Sequence, residues 1–189
     1  RGAENGISET GHRAYRHQKA LTARGEVRDT LGTIMTLEKI LRGVAITSVF
    51  ALPFICLIVA SSLFFPFITG KNFAFRLITE IGFGALIALM FVSKDYRPKR
   101  SVVLLALSVF TFVILLADVL GAYPSKSLWS NYERMDGWVT LIHLLMYVIV
   151  AASVLRSERI WKWLMWTTLG VSVYLTVYGF LQIFGVTAL

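Results

Sequence analysis

The chain is poor in cysteine, proline and charge. Its one cysteine, Cys56, has no intrachain partner, which excludes a disulfide framework and a cysteine-based zinc site. Set in an apolar run, it is a small hydrophobe. Only three histidines are present, and His12 and His17 sit in a polar N-terminal stretch without a third ligand. No metal and no cofactor are expected. There is no twin arginine, and no small-residue cleavage site follows a short apolar core, so the first apolar run is a membrane span and not a removable signal. Four prolines leave the apolar runs nearly uninterrupted: Pro53 falls inside the first, where a kink is tolerable, and Pro66 closes it.

Those runs dominate the chain from Val44 onward. Hydrophobic residues make up 56% of 189, and several stretches reach the roughly 20 residues that cross a bilayer as a helix. Within lipid the backbone must satisfy its own hydrogen bonds, so each run should be helical. The expected fold is all-α: a polytopic transmembrane bundle of about five spans, at Val44–Pro66, Ala74–Ser93, Ser101–Leu120, Trp138–Leu155 and Trp161–Leu181. Gly82, Gly84 and Ala88 give the second span a small-residue face for close helix contact.

A formal charge of +8 would suggest nucleic acid in a soluble protein, but the basic residues are distributed as membrane topology requires. Lys39 and Arg42 precede the first span, Lys94, Arg97, Lys99 and Arg100 fill the second loop, and Arg156, Arg159 and Lys162 fill the fourth. The intervening loops are poorer in basic residues. The N-terminus is therefore expected in the cytoplasm, and no aromatic-basic module points to nucleic acid. Trp161, Trp163 and Trp166 mark one membrane boundary; Tyr123, Trp129, Tyr132 and Trp138 mark the other.

Residues 1–34 are polar and basic without sustained apolar periodicity, and read as a disordered tail or as sequence upstream of a start at Met35. Residues 35–189 are the membrane domain. The initial Arg, and an end at Leu189 just after a span, are read as those of a piece of a longer protein.

Ionisable groups at membrane depth are costly, roughly 2.5–3.5 kcal/mol each at a helix centre, so they mark function or a specific packing need. Arg76 and Glu80 lie four apart on one helix face, where they could neutralise each other while Arg76 reaches toward the headgroups. Asp118 and His143 map to the same outer half, whereas the inner halves are almost free of ionisable groups. The loop Gly121–Gly137 adds Glu133, Arg134 and Asp136 among aromatics. An arginine on the outer side runs against the topological bias. It reads either as the planar fork that holds phosphate oxygens, or as an ion pair ordering the loop.

At this loop the sequence Ser130-Asn131-Tyr132-Glu133-Arg134-Met135-Asp136-Gly137, an S-x-x-E-R-x-x-G pattern opening a span, resembles the O-antigen ligase and polymerase family. Upstream, Pro66-Phe67-Ile68-Thr69-Gly70-Lys71-Asn72-Phe73 with Phe75-Arg76 and Glu80 is similar to the first outer loop and second span of that family. The resemblance runs from about Met35 to Leu189. It implies a multi-pass enzyme of the bacterial inner membrane that moves a glycan from an undecaprenyl diphosphate carrier to an acceptor at the outer face, without metal or nucleotide sugar. Arg76 and Arg134 would bind the diphosphate, with Glu80, Glu133 and Asp136 supporting them. The family's long outer loop, with its proposed catalytic histidine and further arginines, would lie beyond Leu189. His143, inside a span, is not its counterpart, and the catalytic residue is unassigned.

Two other readings stand beside it. Arg76, Glu80 and His143 could line the path of a small-solute or proton-coupled transporter, or the ionisable residues could only fix the packing of a noncatalytic membrane scaffold.

Overall fold

The computed structural model describes residues 28, 31–59, 68–131 and 136–185. Six helices account for most of them: α1 (Leu31–Leu57), α2 (Thr69–Val92), α3 (Val102–Leu120), α4 (Pro124–Trp129), α5 (Trp138–Val154) and α6 (Glu158–Ile183). Among the described residues there is no strand. The protein is an all-helical membrane bundle, in which α1, α2, α3 and α6 are long and apolar enough to cross a bilayer and α5 is shorter. Residues 1–40 and 41–189 are separate compact units. In the first, the described residues are helical from Leu31, so the helix enters the stretch read as a tail, and Leu31, Ile34, Met35 and Ile40 are exposed.

The remaining boundaries fall near the expected spans except at the end of α1. There the helix tightens to a 3-10 coil over Leu52–Leu57, with Pro53 in its first turn, and Ile58 is extended. Proline has no N–H to donate and its ring clashes with the carbonyl four residues back, so the α-helical ladder cannot pass through it unchanged. Pro66, expected to close this span, lies outside the described residues.

In the second unit the core joins Ala45 and Val49 of α1, Ala85, Leu86 and Leu89 of α2, and Val150, Ala151 and Val154 of α5. Lipid tails are as apolar as leucine, so what holds these helices is close van der Waals contact, which small residues permit. Gly82 is the point of closest approach: a Cβ there would lie 2.8 Å from Ser48 Cβ on α1. The small-residue face is therefore Gly82 with Ala85. Gly84 meets nothing within 4 Å and is exposed, because two residues along a helix turn a side chain to the far side.

Helix α2 packs most extensively against α5. The two run parallel, since Arg76 meets Thr140 near both starts and Gly82 faces Val150 farther along. At their far ends Arg156 donates to the Asp95 carbonyl and stacks on Tyr96, 4.3 Å from the ring centroid. This ties the 93–100 loop to the turn after α5, and places the basic loops at one end of the bundle. The outer surface is apolar, with Phe91, Val102 and Leu120 each more than four-fifths exposed. Water would not tolerate such a surface, and lipid requires it.

The charge bias predicts that this basic end faces the cytoplasm and α4 the outside. In a Cys56→Ala background, Ser125→Cys should react with a membrane-impermeant maleimide on intact cells, and Lys99→Cys only after permeabilisation. The reverse pattern would invert the topology.

Candidate functional site at the start of α5

Seventeen residues make α5 about 25 Å long, shorter than the roughly 30 Å hydrocarbon core. Its first residue does not sit level with the ends of its neighbours. Trp138 Nε1 donates to the Thr111 carbonyl in mid-α3, at 2.9 Å, so α3 runs on for about 13 Å beyond that level. Thr140 meets Arg76, which lies about 10 Å into α2. The start of α5 is thus sunk below the outer ends of α2 and α3. The short helix α4 packs against α3 and α5 beside it.

This descent depends on Gly137. A Cβ there would collide with the Leu128 carbonyl of α4 and come within 2.8 Å of the Ser127 carbonyl. Ser130 turns the chain after α4 with φ 63° and ψ −162°, a conformation that costs a residue with a side chain of order 1–3 kcal/mol. Gly137→Ala should therefore lift α4 off α5 and destabilise the protein by about 1–3 kcal/mol, read as a lower unfolding midpoint and a shifted Trp129 emission. An unchanged midpoint would show that the loop moves freely.

Within the recess, Arg76 Nη2 donates to Thr140 Oγ1 at 2.9 Å, and its guanidinium carbon lies 6.0 Å from the centroid of the Trp129 ring. The guanidinium is held at the N-terminus of α5, where the first turn's backbone N–H groups and the helix dipole already favour an anion. The N-cap residue is Gly137, which has no side chain to cap those groups. Arginine and helix terminus together make the recess electropositive.

One turn deeper, Glu80 Oε1 lies 3.0 Å from His143 Nε2, while His143 Nδ1 lies 2.6 Å from the Val139 carbonyl oxygen. A carbonyl can only accept, so Nδ1 carries a proton. Nε2 then faces the Glu80 carboxyl group, so the ring bridges α5 and α2. The His143 side chain is 10% exposed and that of Glu80 58%. A carboxyl group so open at this depth needs polar surroundings. Beyond the pair the polar strip ends at Ser48, Thr79 and Tyr147, which line a gap of only about 10 Å³ before apolar Val150.

The recess brings together Arg76, Glu80 and His143 from the sequence-predicted set, but rearranges their pairing. Glu80 reaches across to α5 and not back to Arg76, because parallel packing sets His143 opposite it. Asp118 lies about 10 Å beyond Thr111 on α3 and does not share this depth. Asp136 is exposed just before α5. Glu133 and Arg134 lie outside the described residues. Thr140 was missed by sequence reasoning; its only signal was its place three residues before His143, on the same helix face.

No protein-family model matches the chain, and neither does any curated protein or solved structure.

Proposed function

We propose that the chain is the membrane portion of a glycan ligase or polymerase that takes saccharide from an undecaprenyl diphosphate carrier at the outer face of the bacterial inner membrane. The observation that carries this reading is the anchored Arg76. It belongs to one of the two segments that resemble the O-antigen ligase family, and it is hydrogen-bonded to Thr140, just past the other. Two stretches far apart in sequence thereby form one electropositive recess where a lipid-borne phosphate would arrive.

Glycosyl transfer breaks the bond between the sugar's anomeric carbon and a diphosphate oxygen, and the departing diphosphate gains negative charge. Donors fixed in place beforehand stabilise that charge without reorganising during the step. Arg76 and the α5 N-terminus supply such donors, and Arg134 is proposed as a second guanidinium from the loop. Glu80 and His143 act as positioning residues, as does Asp136, with Glu133 proposed beside them; the group that activates the acceptor is left unassigned.

The test is binding to the chain held in phosphatidylcholine nanodiscs, followed through tryptophan fluorescence. Undecaprenyl diphosphate should bind saturably, and Arg76→Gln should weaken it by roughly tenfold or more, the loss of a charge-assisted hydrogen bond. Absence of saturable binding, or binding indifferent to Arg76, would sink the reading.

One observation favours a second reading, proton-coupled transport: the contact between two ionisable side chains, Glu80 and His143, at membrane depth. Proteoliposomes loaded with a pH-sensitive dye separate the two. Proton flux abolished by Glu80→Gln would support transport; absence of flux would leave the ligase reading in place.

A further inference from the structure

A second feature lies on the other side of α2. Two cavities, of about 450 and 370 Å³, meet at Leu57 and Tyr174 between the end of α1 and helix α6. Together they form a groove down one lane of α6, from Gln182 to Thr167, a run of about 22 Å. The groove exists because α6 carries glycine where its floor needs no side chain: a Cβ at Gly170 or Gly179 would meet nothing within 4 Å. One wall is the stacked pair Tyr174 and Tyr178, with ring centroids 6.2 Å apart.

The groove is polar at one end only. Lys71, in the first turn of α2, lines that end with Gln182, and among the described residues no acidic side chain lines either cavity. Toward Thr167 and Phe54 the lining is apolar. Five residues separate Lys71 from Arg76, a rotation of about 140° around α2, so the two cations serve different sides of the helix.

We propose that this groove seats one long apolar lipid chain, with the phosphate ester at its head met by the Lys71 ammonium. A single lane along α6 suits a lipid with one chain, and the Lys71 cation at its outer end complements a phosphate. A diacyl phospholipid would have to leave its second chain outside. Taking the occupant to be a polyprenyl phosphate lipid rests on the ligase reading; the groove, its length and its charge do not. The chain would then lie along α6 while its head is presented at the outer face of the bundle.

The test uses the full chain in nanodiscs with two photoreactive probes carrying the same diazirine: undecaprenyl monophosphate and phosphatidylglycerol. Labelled peptides are mapped by mass spectrometry. Expected is labelling of the Thr167–Gln182 segment by the undecaprenyl probe, several-fold above that by phosphatidylglycerol. Gly170→Leu and Gly179→Leu, which fill open space, should remove most of it without moving the unfolding midpoint. Lys71→Gln should reduce it by roughly tenfold, as for a lost charge-assisted hydrogen bond. Equal labelling by both probes would overturn the proposal and leave an ordinary lipid-facing groove. Undecaprenyl diphosphate binding that depends on Arg76 yet ignores both leucine variants would overturn the groove and keep the ligase reading. Labelling that depends on the groove, with undecaprenyl diphosphate binding indifferent to Arg76, would keep the groove and overturn the placement of the diphosphate at Arg76.

Discussion

In the longer glycan ligase of which we propose this chain is the membrane portion, Arg76→Ala is expected to lower transfer per folded molecule by roughly 10²–10³-fold, the loss seen when one preorganised donor to developing charge is removed. The expectation rests on how Arg76 is held. Thr140 fixes one nitrogen at 2.9 Å and the Trp129 ring lies alongside, so the guanidinium is positioned before any ligand arrives. Arg76→Lys keeps the charge but loses the planar fork and most of the ring contact, and should retain only part of the activity. A residue that merely packs the recess would behave otherwise. Both variants would then reduce the amount of folded protein, with normal transfer by what remained. Measuring transfer in membranes, normalised to folded protein, distinguishes the cases; normal specific activity for both variants would remove Arg76 from the site.

The second large effect concerns the Glu80–His143 pair. Removing one partner leaves the other at membrane depth without its hydrogen bond, which for a fully buried pair costs about 3–5 kcal/mol. Glu80 is more than half exposed, so the expected loss is smaller, about 1–3 kcal/mol for Glu80→Leu or His143→Leu. The double variant should recover part of that loss, because an apolar pair leaves no unmet polar group. A coupling of about 1–2 kcal/mol is expected from a double-mutant cycle, measured by unfolding in mixed detergent micelles. Strictly additive losses would mean that the two side chains do not interact in the folded protein. Transfer activity should fall in both single variants through misplacement of Arg76, one turn away on the same helix face. Glu80→Gln keeps the size and can still hydrogen-bond to the ring, so it should restore more stability than activity if the charge matters to the site.

Taken alone, the residues determined that the chain is an all-helical membrane bundle and where most of its apolar helices begin and end. Those facts follow from local rules: a backbone in lipid must be helical, and about 20 apolar residues are needed to cross. They also put Arg76 and Glu80 on one face of α2, because helical periodicity is a property of neighbours in sequence. The failures have one cause in common. That Glu80 pairs with His143, that Gly82 but not Gly84 meets a neighbour, and that α5 starts well below the end of α3 all depend on the register between helices far apart in sequence. Register is set by packing, by whether a glycine lets Ser48 approach and whether Trp138 can reach the Thr111 carbonyl, and no local rule encodes it. The groove along α6 is of the same kind: no sequence pattern marks the glycines at 170 and 179, and only the placement of α1 beside them turned their missing side chains into a cavity.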